Sequence, residues 1–411
     1  MLHVGYRGRM TDAPWRRTAQ AAGLLGSTGS IAPTIFAEMT ALATRTGAVN
    51  LGQGFPDFDG PAIVLETAQR AIRDGLNQYS PGRGHPELVD AIVEHQRHWY
   101  GLGTTTAEVL VTAGATEALA ATMLAYLEPG DEVVVFEPCY DAYAAIVGLT
   151  GARLVPIPLA PPTFEPDLDR IERAFTSRTR MVVVNSPHNP TGIVFDEDVL
   201  RHVVRCAERR DALIVTDEVY EHLVYDGRHV PMAQIDGARD RLVSISSGGK
   251  TFSTTGWKVG WLVSTPERVA QITSVKQYLT FVNGAPFQPA IAAGLRMDDE
   301  AFDTLAASFA RKRDLLTRGL RSVGFTVPDA QAGYFVLADG SALGFPDATD
   351  LARRLPELAG VVGVPVAPFA RPSRHDLRPW MRFAFCKRDE VLRDAVERLG
   401  ALRGLAQAPP A

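Results

Sequence analysis

The sequence has little of what marks a secreted or a nucleic-acid-binding protein. Its 411 residues include only three cysteines, which lie far apart and form no CxxC pair. Few and widely spaced cysteines argue against a disulfide framework and a cysteine zinc site, and they favour the reducing cytoplasm. The net charge of −5 comes without a basic cluster, so nucleic acid is not an expected partner.

Long hydrophobic runs are missing as well. The longest apolar segment, residues 118–127, ends at Glu128 and Pro129, whereas a transmembrane helix needs roughly 18 apolar residues. Residues 1–30 contain no apolar stretch of signal-peptide length and no clear period. We therefore expect them to form a mobile segment or an arm that packs on another surface. The sequence predicts a cytoplasmic protein without membrane contact.

Apolar residues are plentiful, at 46% of the chain, and seven short runs of them follow one another between residues 108 and 265. The runs are 108–114, 131–138, 152–159, 180–187, 211–218, 241–247 and 260–265. Most are continuously apolar, which indicates strands covered on both faces. Helical stretches such as 115–128 and 196–209 separate several of them. The pattern predicts an α/β fold with a mostly parallel, seven-stranded sheet between helices.

The chain is too long for one ordinary domain. The order of predicted helices and strands changes after residue 298. Residues 61–298 contain the seven runs and are expected to form a large ligand-binding domain. A long helical stretch follows, then shorter strand-like runs and a closing amphipathic helix. We expect a smaller α+β domain made of residues 299–411 together with residues 31–60.

Polar side chains lie where neighbouring apolar runs end. Asn189 lies in the turn after one run, and Asp217 and Tyr220 close the next. Lys250 follows the run after that. Singly, Asp217 suits a helix cap and Asn189 a turn. Together they indicate a chemical site, because loops at the carboxyl ends of parallel strands meet at one edge of the sheet.

The stretch SISSGGKTFSTTGWKVGW, residues 244–261, allows two interpretations of Lys250. GGKT resembles the end of an ATP-binding P-loop, but that motif requires a glycine where Ser244 lies inside an apolar run. Alternatively, the lysine amine forms a Schiff base with an aldehyde cofactor such as pyridoxal 5′-phosphate. The second interpretation accounts for more of the neighbouring residues.

Pyridoxal phosphate needs an acid for its ring nitrogen and a site for its phosphate. Asp217 suits the ring nitrogen, and Asn189 and Tyr220 suit the ring hydroxyl. A cation and a hydroxyl suit the phosphate dianion, and backbone N–H groups at a helix N-terminus add to them. The residues that supply these phosphate contacts are Ala115, Thr116, Ser247 and Lys258.

Five motifs carry a resemblance to a known family. They are NLGQGFPDF (50–58), NQYSPGRGHPEL (77–88), HNPTG (188–192), TDEVYEHL (216–223) and SSGGKTFSTTGWKVGW (246–261). Over nearly its whole length the sequence resembles the fold-type I, pyridoxal-phosphate-dependent aminotransferases of class I and II, especially the kynurenine and methionine aminotransferase branch. The resemblance implies the fold-type I architecture. It also implies amino transfer between an amino acid and a 2-oxo acid by a ping-pong mechanism.

The resemblance also implies roles for single residues. Lys250 is the Schiff-base lysine and proton shuttle, with Asp217 and Tyr220 as further catalytic residues. Tyr140 stacks on the cofactor ring. Tyr79 reaches the phosphate of the neighbouring subunit, which implies a homodimer whose active sites are shared across the interface. The residues implied for the substrate are Gly54, Asn189 and Arg382, with Arg382 on the α-carboxylate.

The expected substrate follows from the resemblance to the kynurenine and methionine aminotransferase branch and from the lack of a second substrate-binding arginine. No second arginine for a side-chain carboxylate can be identified, which disfavours aspartate. Lys258 also replaces the arginine that is usual in aspartate aminotransferases. The sequence is similar to bacterial enzymes that use N-succinyldiaminopimelate and 2-oxoglutarate in lysine biosynthesis. Kynurenine, glutamine or methionine transamination, with cysteine-conjugate β-lyase side activity, is the alternative.

Three further features allow more than one interpretation. His95 and His98 lie one helical turn apart, but no third ligand is visible, so we expect a solvated helix face and no metal site. Tyr143 suits a substrate pocket and a core equally well. An aminotransferase-like domain also occurs in transcription regulators, but the roughly 30 residues before IAPTIFAEM are too few for a winged helix.

Overall fold

The structure, a computed structural model, describes residues 13–26 and 28–404. Parts of the expected N-terminal arm and of the expected C-terminal domain, residues 1–12 and 405–411, lie outside the described residues. The helices are α1 (Pro14–Ala21), α2 (Ile35–Thr46), α3 (Ala62–Arg73), α4 (Pro86–Tyr100), α5 (Gly114–Tyr126), α6 (Asp141–Thr150), α7 (Leu168–Ala174), α8 (Glu197–Arg210), α9 (Gly248–Thr251), α10 (Pro266–Lys276), α11 (Phe287–Leu295), α12 (Asp299–Ser322), α13 (Ala348–Ala359) and α14 (Asp389–Leu399). The strands are β1 (Val49–Asn50), β2 (Val109–Thr112), β3 (Glu132–Glu137), β4 (Arg153–Pro158), β5 (Thr179–Asn185), β6 (Leu213–Asp217), β7 (Leu242–Ser247), β8 (Gly260–Val263), β9 (Phe335–Asp339), β10 (Val361–Val362), β11 (Val364–Pro365) and β12 (Trp380–Ala384).

The seven apolar runs form one seven-stranded sheet in the order β2-β8-β7-β6-β5-β3-β4. Strands β7, β6, β5, β3 and β4 pair in parallel, and β8 is antiparallel to both of its neighbours. This confirms the predicted α/β fold with a mostly parallel sheet. The carboxyl ends of β5, β6 and β7 therefore lie side by side at one edge.

Both faces of this sheet are covered, as the continuous runs predicted. Alternate residues of β3 enter different cores: Val134 packs in one cluster and Val133 in the other. Helices also begin where the sequence supplies caps. The side chain of Asp196 accepts from Val199 N–H at the start of α8, and Asp298 caps α12 in the same way.

A smaller three-stranded antiparallel sheet, β11-β12-β9, lies outside the central one. Strand β1 pairs in parallel with β10, so residues near 50 and near 361 come together. Strand β12 carries Arg382 between its two neighbours, opposite Leu337 and Val364. The three strands of this sheet come from residues 335–384, and β1 comes from the segment 31–60. The division of the chain into domains stays a prediction.

Helix α1, in the N-terminal segment, packs on α6 of the same chain. A side chain at Gly148 would lie 2.7 Å from the Ala21 side chain and 2.8 Å from the Arg17 carbonyl oxygen, so only glycine permits this approach.

Within residues 13–26 and 28–404, no helix has the length and hydropathy needed to span a bilayer.

Candidate active site

Lys250 lies just past the end of β7, in the one-turn helix α9. The two preceding glycines allow this tight placement, since a side chain at Gly248 would lie 2.6 Å from Ile291. The Lys250 amine lies 5.7 Å from the ring centres of both Tyr220 and Tyr334. Burial lowers the pKa of this amine. A lowered pKa favours the neutral, nucleophilic form.

Asp217 ends β6, next in the sheet to β7, and holds a buried carboxylate. Its Oδ2 accepts a hydrogen bond from the Tyr143 hydroxyl at 2.6 Å. Its Oδ1 is buried and has no hydrogen-bond partner among the described residues. Burial raises the pKa of Asp217, and the Tyr143 hydrogen bond opposes that rise. An unpaired buried carboxylate oxygen is a suitable acceptor for a protonated ring nitrogen.

Asn185 ends β5 and fixes the loop beside Asp217. Its Nδ2 donates to the Asp217 carbonyl oxygen at 2.8 Å, and its Oδ1 accepts from Asn189 N–H at 2.7 Å. The predicted residue Asn189 is therefore held at a defined distance from the acid. Asn185 was not predicted as a site residue, although its position at a strand end was the available signal.

The N-terminus of α5 lies opposite Lys258 and forms an anion-binding cradle. Gly114, with φ of +75°, starts the helix, and a side chain there would lie 3.1 Å from the Lys258 Nζ. Gly260 lets β8 approach from the other side, since a side chain there would lie 2.8 Å from the Ala115 nitrogen. Free backbone N–H groups and an ammonium suit a phosphate dianion.

One cavity joins these features. It is lined by nine residues that the sequence predicted to bind the cofactor, and the structure thus brings them together. They are Ala115, Thr116, Tyr140, Asn189, Asp217, Tyr220, Ser247, Lys250 and Lys258. The residue set, with its unpaired Asp217 oxygen and its cradle, fits pyridoxal phosphate.

Arg382 borders this cavity rather than lining it. It is buried, donating to Asn189 Oδ1 at 3.3 Å and to the Gly52 carbonyl oxygen at 3.1 Å. Its guanidinium lies 3.9 Å from the Phe335 ring centre, and a side chain at Gly54 would meet the same ring at 2.3 Å. No ion pair with Arg382 exists among the described residues, so its charge is available to a carboxylate.

Tyr79 lies apart from the cavity on the surface of the single chain. Its side chain is 81% exposed, and its ring lies 5.4 Å from that of Phe281. The role implied for it in a neighbouring subunit stays a prediction. The sequence left open whether Tyr143 lines the substrate pocket or packs in the core. In the structure Tyr143 is buried, and its hydroxyl donates a hydrogen bond to Asp217.

The expectation of a solvated face for His95 and His98 is wrong for His95. His98 is exposed and pairs with Asp299 at 2.7 Å. His95 is buried, with its Nε2 lying 2.6 Å from the His222 Nε2. Residues three apart lie on neighbouring parts of one helix face, so His95 can reach the loop after β6 while His98 lies at the solvent-exposed edge of that face.

Comparisons with known proteins agree on one family. A family model described as "Aminotransferase class I and II" matches residues 46–399. The chain is 46% identical to the probable N-succinyldiaminopimelate aminotransferase DapC of Mycobacterium tuberculosis, over 90% of this chain and 96% of that protein. It is 37% identical to the methionine aminotransferase of Escherichia coli, over 90% and 96%.

Solved structures show the same likeness. The N-succinyldiaminopimelate aminotransferase of Mycobacterium tuberculosis superposes with a TM-score of 0.88 at 47% identity, covering 90% of this chain and 97% of that one. The aspartate aminotransferase of Thermus thermophilus with maleate gives a TM-score of 0.82 at 35% identity, with 90% and 97% covered.

Proposed function

The chain belongs to the class I and II aminotransferases, and we propose that it moves the amino group of N-succinyl-LL-2,6-diaminopimelate to 2-oxoglutarate in lysine biosynthesis. The proposal includes pyridoxal 5′-phosphate held on Lys250 and a ping-pong cycle of two half-reactions. The observation that supports it most is the unpaired Asp217 oxygen facing a cavity that also contains Lys250 and the Gly114–Lys258 cradle.

Each residue of the cavity is proposed to bind a different part of the cofactor. When bound, the cofactor supplies an aldehyde and a ring that withdraws electrons from the substrate Cα. Asp217 would hold the ring nitrogen in its protonated form, and Tyr220 and Asn189 would bind the ring hydroxyl. Tyr140 would contact the ring. Ala115, Thr116, Ser247 and Lys258 hold the phosphate by N–H, hydroxyl and ammonium groups.

Lys250 is proposed to be the covalent lysine and the base. Its amine has a lowered pKa because it is buried, so a larger share of it is in the neutral form that can accept the proton from the substrate Cα. The neighbouring Tyr220 and Tyr334 rings exclude water from one side. Once protonated, the amine would be the group that can give the proton back within the same cavity.

Arg382 is proposed to bind the substrate α-carboxylate, with Gly54 and Asn189 beside it. The guanidinium is buried, has an unpaired Nε, and lies against the Phe335 ring. A planar guanidinium fork binds a carboxylate with two parallel hydrogen bonds. A substrate carboxylate would thus satisfy a charge that the described residues leave unpaired.

The choice of substrate rests on the 46% identity to the tuberculosis relative, against 37% and 35% for the methionine and human kynurenine relatives. Purified enzyme should be assayed with N-succinyldiaminopimelate, kynurenine, glutamine and methionine, each with 2-oxoglutarate. The proposal expects N-succinyldiaminopimelate to have the highest kcat/KM. A higher kcat/KM for kynurenine, glutamine or methionine would contradict this choice of substrate and favour the kynurenine-type alternative.

We also propose a homodimer in the cytoplasm, without membrane or nucleic-acid partners, in which Tyr79 completes the partner's phosphate site. The 81% exposure of Tyr79 supports its place in a partner's site. The three buried cysteines form no disulfide, which supports the cytoplasm. Subunits carrying Lys250→Ala and subunits carrying Tyr79→Ala should be mixed and allowed to exchange. Each hybrid then has one site with both residues intact, so activity should return. No recovery in proven hybrids would place Tyr79 outside the partner's site.

A further inference from the structure

A buried polar cluster lies behind the active site, between α4 and the loop that follows β6. The imidazoles of His95 and His222 face each other with 2.6 Å between their Nε2 atoms. Glu221 places a carboxylate oxygen beside them, and these three ligand atoms lie within 4.8 Å of one another. His95 and Glu221 are only 2% and 6% exposed, and His222 is partly exposed. None of the three lines the cofactor cavity.

The cluster contains negative charge without a matching cation. Glu221 and its neighbour Glu218 are both buried, and neither has a lysine or arginine partner within ion-pair distance among the described residues. Glu218 contacts His229 at 3.4 Å and accepts from Met232 N–H at 3.1 Å. Buried charges in proteins are either paired or coordinate a metal ion. Glu221 therefore has no lysine or arginine partner among the described residues, and a dication beside the two imidazoles would supply a positive charge.

The ligand set is one that zinc and related first-row ions prefer. The two imidazole nitrogens and the Glu221 carboxylate oxygen are the donor atoms that such ions take in proteins. In the ion-free arrangement only one proton fits between the two nitrogens. A zinc ion with bonds of about 2.0–2.1 Å would hold the nitrogens about 3.3 Å apart, so the rings need to separate by about 0.7 Å.

The surroundings already orient the ligands. The Tyr100 hydroxyl donates to Glu221 Oε2 at 2.5 Å, and the Ser246 hydroxyl donates to Oε1. Trp99 packs against the His222 ring with 4.9 Å between ring centres, giving an apolar wall. Hydrogen-bonded carboxylates and a hydrophobic shell are typical of groups around a metal ligand set.

We propose that His95, His222 and Glu221 form a binding site for a divalent transition-metal ion of the zinc type, with water in the fourth position. The ion would link α4 to the loop that follows β6 and carries Tyr220. It would take no part in amino transfer. The partly exposed edge of His222 provides the entry path. The site is independent of the substrate proposed above.

Calorimetric titration of the full-length holoenzyme with Zn²⁺ tests this directly, and Co²⁺ difference spectra report the geometry. One ion per chain should bind, and Co²⁺ should give the intense visible bands of a four-coordinate, nitrogen-ligated ion. His95→Asn and His222→Asn should each weaken Zn²⁺ binding by about tenfold or more. His98→Asn is the matched control, because His98 lies on the same helix but pairs with Asp299 outside the cluster, and it should bind as the unaltered chain does.

Three results would overturn the proposal. One is the absence of stoichiometric Zn²⁺ binding. Another is an octahedral, all-oxygen Co²⁺ spectrum in the unaltered chain, which is informative even if the buried histidine variants fail to fold. The last is binding that survives in His95→Asn but is lost in His202→Asn. That outcome would place the ion at the surface group of Glu172, His202 and Cys206 instead.

Discussion

Replacing Arg382 with methionine is expected to leave the stability of the substrate-free protein nearly unchanged while it removes carboxylate binding. Arg382 is 3% exposed and has no ion-pair partner among the described residues. Burial lowers the pKa of its guanidinium from the ordinary value of 12.5 to about 10. A difference of this size corresponds to about 3 kcal/mol of unfavourable free energy for the charged form in the folded state.

Favourable contacts of Arg382 are of about the same size as that penalty. Its hydrogen bonds to Gly52 and Asn189 contribute about 1 kcal/mol each. Its position 3.9 Å from the Phe335 ring centre adds about 1 kcal/mol. Methionine fills a similar volume and packs well on aromatic rings. The net expectation is a free energy of unfolding within about 1 kcal/mol of that of the unaltered chain, with kcat/KM lower by about 100-fold or more.

Urea unfolding followed by circular dichroism, with and without saturating 2-oxoglutarate, measures both effects. The ligand should stabilise the unaltered enzyme but not Arg382→Met. Arg374→Met is the matched control, since Arg374 is also buried but is paired with Asp376 at 2.8 Å and with Glu137. That variant should lose about 3 kcal/mol or more, because it leaves buried charge unpaired. The reasoning is refuted if Arg382→Met loses as much stability as Arg374→Met.

Other residues give further predictions. Tyr143→Phe removes the hydrogen bond that opposes the rise in the pKa of Asp217, so cofactor affinity should fall by about tenfold in a dialysis assay; an unchanged affinity would contradict the supporting role of Tyr143. Gly114→Ala places a side chain 3.1 Å from Lys258 Nζ at φ of +75°, and cofactor affinity should fall by about tenfold or more while circular dichroism is unchanged; normal affinity would argue against the cradle. Glu132 has a pKa lowered to about 2 against the burial that would raise it, through hydrogen bonds from a threonine and two arginines. Its stabilisation is therefore present above pH 4.5 and is lost as pH falls towards 2. Glu132→Gln should lose about 2–3 kcal/mol at pH 7 and show a flatter decline between those pH values in urea unfolding; an unaltered pH profile would show that the carboxylate charge is not stabilising.

Much of the central sheet could be predicted because its strands are buried on both faces. A continuous apolar run such as β3 has no solvent face, so composition alone marks it. The reversed direction of β8 could not be predicted in this way, because Gly260–Val263 is as apolar as the strands that run parallel to one another in the same sheet. Its direction depends on a turn near Lys258, whose φ of +55° becomes visible only in the folded chain.

The polar residues of the site were predictable where they end strands, as with Asp217. Tyr143 was not, because it comes from the first turn of α6 and meets Asp217 only in the folded chain, 74 residues away. The contact of His95 could not be predicted either, because the local spacing suggested His98 as its partner. The observed partner, His222, is 127 residues away. Local periodicity carries no information on contacts at such separations.

Reduction of the purified enzyme with borohydride, followed by peptide mapping, tests most directly whether Lys250 carries the cofactor. The expected result is a single pyridoxyl-modified peptide containing Lys250, together with Lys250→Ala chains that fold but have no transaminase activity. Lys258→Ala should keep the modification on Lys250 while binding the cofactor more weakly. Modification of another lysine, or full activity of Lys250→Ala, would contradict the assignment.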